Sequence, residues 1–411
     1  MKVTFVSNYI NHHQIPFCTA MNDQLQGGFA FIQTEPMEQE RIRMGWHEAE
    51  RPEYVRCYYE EEEFCRRLIL ESDVVLFGGT DEESYIVPRL EAGKPVFRYS
   101  ERLYKTGQWK AVSPRGLRKK YHDHTRYRNA PVYLLCAGGY VASDFHIIRA
   151  YEGKRFCWGY FPETKTYDVN ALLEQKGYGT EKIPYFLWAA RMIDWKHPEL
   201  ALKAAKHLKE KGIAFHLDMI GDGELHPQMA DYIESTGLGD CVTLLGYRTP
   251  EQVRGFMEKA DIFLFTSDRE EGWGAVANEA MNSGCALVAD HMIGAVPFLI
   301  KSGENGLVYR DGDLGQFLEL TEHLAGDRPL CKRLGEKAYR TIVEMWNAEN
   351  AAERLMELIE AVVRYGDNGI SETGIGAAEE NLEFAPYVPC APAPVLAEGS
   401  MRRIFRRPVE F

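Results

Sequence analysis

No run of 18 apolar residues occurs among these 411, so no segment is long enough to cross a bilayer as a helix. The opening MKVTFVSNY turns polar too quickly for a secretory leader. No two of the nine cysteines, at 18, 57, 65, 136, 157, 241, 285, 331 and 390, stand at CxxC spacing, which leaves neither a zinc ribbon nor a thiol–disulfide motif. Several lie in apolar strand-like runs and read as buried thiols of a reducing compartment, so a cytoplasmic protein is expected, soluble or peripheral at the inner face of the membrane. Net positive charge is missing too. A formal charge of -13 repels polyanions and argues against general nucleic-acid binding. What remains is an ordinary globular composition, 45% hydrophobic and 12% aromatic, in a chain that suits two well-buried domains better than one.

Strand-like runs recur at 3–7, 29–32, 74–77, 95–99, 132–136 and 156–159, separated by helical or loop patterns. A second series follows at 186–189, 215–220, 242–244, 262–265 and 286–289, with helices at 198–211, 225–235, 250–259 and 275–283. This alternation predicts an α/β chain of two doubly wound parallel sheets, whose ligands gather at the carboxyl ends of the strands. The expected domains are 1–160 and 185–344, joined by a connection at 161–184. The run MWNAENAAERLMELIEAVVRY reads as a closing helix over 345–365 that returns to the first domain, and the Gly-, Ala- and Pro-rich residues 366–411 as loose chain.

The stretch from Asp261 to Asp290 holds the most chemistry. A strand runs into a polar turn bearing Glu271, Gly272, Trp273 and Gly274, and a helix follows through Ala275 and Val276 with Glu279 about a turn inside. Free N–H groups and the positive dipole end at such a helix start suit phosphate. The two carboxylates are strong acceptors for flanking sugar hydroxyls. Together they predict a sugar carried on a nucleotide diphosphate, although an isolated EGxG equally describes a capped surface helix. The segment AARMIDWKHPEL places Arg191 and Lys196 after another strand, where two cations suit a diphosphate. Gly221 and Gly223 form a turn open enough for a base or ribose. In the first half, NYINHHQ follows the first strand and makes His12 and His13 candidates for the acceptor side, though a histidine there also serves as a cap or in packing. Glu101, after the strand at 95–99, is a third candidate.

The series AARMIDWK, IGDGEL, LLGY, the pair Glu271 and Glu279 spaced E-x7-E, NEAMNSGCALVA and GENGLVY closely resembles retaining glycosyltransferases of the GT-B fold, glycosyltransferase family 4 (glycosyl transferases group 1), over roughly 184–359. The resemblance implies two Rossmann-like domains facing a central cleft. It implies transfer of a hexosyl or related sugar from a donor such as a UDP- or GDP-sugar to a carbohydrate or lipid-linked acceptor hydroxyl, with retained configuration, in polysaccharide or glycolipid assembly. It assigns Arg191 and Lys196 to the donor diphosphate, Glu271 to the donor sugar, Glu279 to the ribose, and the backbone around Gly272, Trp273 and Gly274 to the same donor. The departing phosphate would help to take the acceptor proton, with His12, His13 or Glu101 assisting from the first domain. Two positions depart from the pattern: Ala190 stands where glycine is usual, and Phe298 where glutamate is frequent. The competing readings are a sugar-nucleotide 2-epimerase and a non-catalytic sugar-nucleotide-binding subunit.

No cofactor and no metal are expected. Asp313 of Asp311-Gly312-Asp313 reads as a helix cap, and His122-Asp123-His124 lacks further ligand spacing. Charge on the departing nucleotide would then rest on Arg191, Lys196 and helix-end amides. One segment runs against the overall charge: ten Lys or Arg and two acidic residues lie between Arg98 and Arg128, interleaved with Trp109, Tyr121 and Tyr127. It reads either as a contact for an anionic membrane surface or as a solvated face paired with the run Glu60 to Glu63.

Overall fold

Short apolar runs buried on both faces become the strands, as a parallel sheet covered by helices requires. A computed structural model describes residues 1–38, 51–107, 110–111, 113–178 and 182–367; Trp109 and the expected loose segment beyond 367 lie outside them. Among these residues the first sheet holds β1 (Val3–Ser7), β2 (Phe29–Gln33), β3 (Val55–Cys57), β4 (Val74–Phe77), β5 (Val96–Ser100), β6 (Val132–Ala137) and β7 (Arg155–Trp158), in the order β3-β2-β1-β4-β5-β6-β7. The second holds β8 (Tyr185–Ala189), β9 (His216–Ile220), β10 (Val242–Gly246), β11 (Ile262–Phe265), β12 (Ala286–Asp290) and β13 (Leu307–Tyr309), in the order β10-β9-β8-β11-β12-β13. All pairs are parallel. The chain runs outward from β8 to β10 and resumes at β11 beside β8, so the β8–β11 seam is the topological switch point of the second sheet. The edge strands β3 and β13 were not foreseen, because three residues carry too little pattern to register.

The chain forms two compact units, 1–162 together with the chain from Ala348, and Glu163–Asn347. Residues from 163 onward, expected as part of a connection, fold with the second unit. Asp168 caps the helix Val169–Gln175 by accepting from the Asn170 and Ala171 amides (3.0 and 3.2 Å). Leu172 and Leu173 are buried, and the wholly buried Lys176 donates to the carbonyls of Met257 (2.9 Å) and Ala260. In the first unit the helix Ala348–Tyr365 lays an apolar stripe, Ala351, Ala352, Leu355, Leu358, Ile359 and Val362, against the helix Ile15–Leu25. Asp313 caps the helix Leu314–Gly326 by accepting from the Gln316 amide (3.0 Å). The described cysteines are free thiols, all buried except Cys241, which is partly so; burial rather than cross-linking holds these elements. No helix among the described residues is long and apolar enough to cross a membrane.

Candidate functional site

The loops leaving β8, β9 and β11 are bonded to one another before any side chain of the site is considered. The Trp188 indole donates to the Thr266 hydroxyl (2.8 Å), which donates to the Lys196 carbonyl (2.7 Å), and the Asp268 amide donates to the Trp195 carbonyl (3.0 Å). On the other side the Met192 amide donates to the Asp222 carbonyl (2.9 Å), and the Leu225 amide to the Met192 carbonyl (3.0 Å). Gly221 (φ 134°) and Gly223 (φ 153°) allow this approach: a Cβ at Gly221 would run into the Ala190 carbonyl, and one at Gly223 would lie 2.5 Å from the Met192 oxygen. Both glycines therefore have a backbone reason to be there, in a turn that the sequence marked only as open.

On this frame Lys196 forms an ion pair with Glu271, the two side chains being 12% and 11% exposed. Lys196 Nζ also lies 4.3 Å from the centre of the Trp195 ring, and the exposed Arg191 guanidinium lies 6.0 Å from the same ring. One indole thus carries both cations. Trp195 escaped the sequence reading, although an aromatic directly before the lysine was its signal.

His197 was missed as well. Its backbone is left-handed (φ 48°, ψ 55°), uncommon for a residue with a side chain, and its imidazole bridges Glu199 (3.1 Å) and Asp268 (3.3 Å). Burial pushes the imidazole down, but hydrogen bonds and charge from Asp268 and Glu199 outweigh it and hold His197 up at about 10. The ring is charged at neutral pH and clips the β8 loop to the β11 loop. A raised value stabilises the fold fully below the unfolded value of about 6.5, and the benefit fades as pH rises toward about 10. Melting temperature should therefore fall over that window. His197→Asn, which tolerates left-handed backbone, should flatten the fall; an unchanged slope in thermal melts would remove His197 from this role.

The turn carrying Glu271 is braced from beyond β12. The Gly294 amide donates to the Glu271 carbonyl (3.3 Å), the Ala295 amide to the Trp273 carbonyl (3.0 Å), and any Cβ at 294 would collide with the Gly272 oxygen. The Trp273 indole is buried, donates to Asn278 (2.9 Å), and packs against Phe298 and Trp346 at 6.3 and 5.7 Å. Phe298 therefore anchors the turn through an aromatic cluster, which accounts physically for an apolar residue at that position. Gly274 (φ 92°) faces the Phe265 ring with no room for a Cβ, and the chain then enters the helix Val276–Asn282 with Ala275 at its cap and no side-chain capping bond. Glu279 is partly buried. Burial pushes its carboxyl up to about 7, with nearby Arg254 drawing it down. Arg254 also donates to the Glu279 carbonyl (3.2 Å) and to the Asn282 side chain, which in turn exchanges two hydrogen bonds with the Lys165 backbone (2.8 and 2.9 Å).

In the first unit His13 lines a cavity at the carboxyl edge of the sheet with Gln14, Tyr99, Trp158 and Tyr160. His12 lies against His13 with ring centres 3.9 Å apart and planes tilted by 47°, but does not line the cavity. Glu101 accepts from the Tyr160 hydroxyl and pairs with Lys105 (2.5 Å). Tyr160 thus links Glu101 to the cavity wall; its place two residues after β7 was the available signal.

Residues 173–341 match the family Glycosyl transferases group 1. The chain is 33% identical over 132 residues to the amylovoran biosynthesis glycosyltransferase AmsK of Erwinia amylovora, covering 31% of this chain and 32% of that protein. It is 27% identical over 195 residues to the alpha-D-kanosaminyltransferase of Streptomyces kanamyceticus, covering 47% and 50%. The matched segments span half or less of these relatives' length. Among solved structures, HepE of Anabaena in complex with UDP is similar with a TM-score of 0.63 at 15% identity, covering 88% of this chain and 100% of that one. WaaG, a glycosyltransferase involved in lipopolysaccharide biosynthesis, gives 0.55 at 13% identity, covering 87% and 99%. The second unit thus carries a glycosyl transferases group 1 domain, within a chain of two parallel-sheet, Rossmann-like α/β units whose structural neighbours are GT-B glycosyltransferases.

Proposed function

We propose that this chain is a retaining glycosyltransferase of family 4 that moves a hexosyl or related sugar from a nucleotide diphosphate to an acceptor hydroxyl in polysaccharide or glycolipid assembly. The observation that carries this reading is the Lys196–Glu271 ion pair beside Arg191 on the Trp195 ring, held at the switch point of the second sheet. A diphosphate there would take Lys196 and Arg191 as counter-charges, leaving Glu271 to accept from the sugar hydroxyls and Glu279 from the ribose, with the turn Gly272–Val276 offering backbone amides. Gly221 and Gly223 shape the neighbouring wall. As the bond from the sugar to the phosphate oxygen breaks, negative charge grows on that oxygen, where fixed cations stabilise it most. The acceptor oxygen bonds to the same carbon and its proton passes to the departing phosphate, so no protein nucleophile is required.

In this reading no cofactor or metal takes part, and a UDP- or GDP-sugar is a substrate. The acceptor is a carbohydrate or a lipid-linked sugar, which His13, Tyr160 and Glu101 of the first unit would meet. A peripheral contact of 98–128 with an anionic membrane fits such an acceptor, and no nucleic acid is a partner. A screen of nucleotide sugars tests the reading. One of them should raise the melting temperature, since a ligand that binds only the folded state stabilises it, and should yield a glycosylated product in chelator-containing buffer. Epimerised sugar without a product would favour the epimerase, and binding without turnover a non-catalytic subunit.

A further inference from the structure

One face of the first sheet is incompletely filled at its carboxyl edge. Strand register brings Phe5 of β1, Leu76 of β4, Tyr99 of β5, Leu135 of β6 and Trp158 of β7 to that face, because in-register residues of a parallel sheet, and residues two apart on one strand, share a side. Phe17, from the helix Ile15–Leu25, and Phe161 close it over. The rings meet edge to face: Phe5 with Tyr99 at 90°, Phe5 with Phe17 at 77°, Phe17 with Trp158 at 85° and Trp158 with Phe161 at 76°. That arrangement suits the ring quadrupoles, but flat plates set at right angles leave a corner open. The corner is the cavity whose wall holds His13 and Tyr160, and it measures about 30 Å³.

Its floor and its mouth differ in chemistry. Phe5, Phe17, Leu76, Leu135, Trp158 and Phe161 are each no more than 5% exposed, whereas His13, Gln14, Tyr99 and Tyr160 are partly exposed. Phenylalanine and leucine carry no polar side-chain atom, so a water seated on them would lack the two to four hydrogen bonds that hold a buried water. The mouth has its polar atoms already engaged: the Tyr160 hydroxyl donates to Glu101, and the Gln14 side chain donates to Ser7 (3.4 Å) and accepts from Asn11 (3.0 Å). Size narrows the occupant further. The space exceeds the roughly 10–15 Å³ that one water-sized sphere needs, and falls far short of the roughly 150 Å³ that admits a benzene ring. It suits a methyl group and excludes a ring or an alkyl chain.

We propose that this cavity is a specificity pocket for the acceptor, taking a methyl substituent of the acceptor sugar while the ring hydroxyls stay at the mouth beside Tyr160 and Glu101. The methyl is either C6 of a 6-deoxyhexose or the end of the acetyl group of an N-acetylhexosamine. A parent hexose would place a hydroxyl among the rings without a partner, and the pocket disfavours it for that reason. The inference rests on the glycosyltransferase reading for the identity of the occupant as an acceptor.

Saturation-transfer NMR and competition binding with the full chain test it, using hexoses of both hands beside the 6-deoxy and N-acetyl derivatives of each. Methyl-bearing sugars should bind about 10–100 times more tightly than their parents, and their methyl protons should take up the most saturation. Which derivative binds distinguishes the two sources of the methyl. Leu135→Phe, which fills the space, should erase the preference with no loss of melting temperature; Leu135→Ala, which enlarges it, should lower the melting temperature and bring the parent hexoses level. Parents bound as tightly as their derivatives, no sugar bound at all, or a preference unmoved in both variants would overturn the proposal, the last because the cavity would then be a packing gap. Incubation with nucleotide sugars separates the pocket from the reaction. Selective binding without transfer to any acceptor would sink the proposed transfer and leave the pocket, whereas transfer without selectivity would sink the pocket alone.

Discussion

Lys196→Ala is expected to lower turnover by about 10²–10³, the loss that follows removal of one preorganised charge from a developing anion, roughly 3–4 kcal/mol of transition-state stabilisation. The loop should keep its shape, because the Lys196 carbonyl bond to Thr266 and the Trp195 carbonyl bond to Asp268 are both backbone contacts. The lost lysine leaves Glu271 as a shielded carboxylate without its cation, so some stability should go with it. Adding Glu271→Gln should restore melting temperature and not turnover, which separates the two effects. Arg191→Ala should lose a comparable factor and Arg191→Lys should regain part of it, since lysine keeps the charge but lacks the fork that binds two phosphate oxygens. Calorimetry gives the decisive comparison. Both alanine variants should weaken nucleoside diphosphate far more than nucleoside, and equal losses for the two ligands would end the assignment.

Glu271→Gln should act in the opposite sense on binding. Glu271 pairs with Lys196, so a diphosphate bound as proposed would compete with it for that cation. The glutamine variant removes the competitor while keeping the shape. Nucleoside diphosphate should bind as tightly as before or more tightly, whereas turnover falls by about 10² or more, because a charged acceptor matters most as positive charge develops on the sugar. Turnover equal to that of the parent would reject a role for Glu271 in the reaction. Weaker diphosphate binding would instead show that Glu271 orients Lys196.

Arg191, Lys196 and Glu271 were legible because each follows an apolar strand-like run, and the carboxyl end of a parallel strand is where polar groups face a ligand. Their grouping was not legible as geometry: Lys196 and Glu271 lie 75 residues apart and meet only because β8 and β11 are neighbours in the sheet. For the same reason the His197–Asp268 clip and the Thr266 bridge left no local trace. The basic stretch misled by averaging. Read as composition, Arg98 and Arg118 look alike, yet one is buried under a carboxylate and the other is exposed on the helix surface. The helix Val169–Gln175 was overlooked because two leucines in a polar run give little periodicity, and the first-unit histidines stayed ambiguous because a cap, a packing ring and a ligand contact share the same letters.

The brace from Gly294 also has a meaning in time. A chain is made from its amino end, and the turn bearing Glu271 is held by amides at 294 and 295 that follow it by more than twenty residues. The β8 loop likewise waits for Thr266, 70 residues after the Lys196 carbonyl it secures. No growing fragment that stops short of Ala295 has both restraints, so the loops carrying Lys196 and Glu271 are fixed only after most of the second unit has been synthesised.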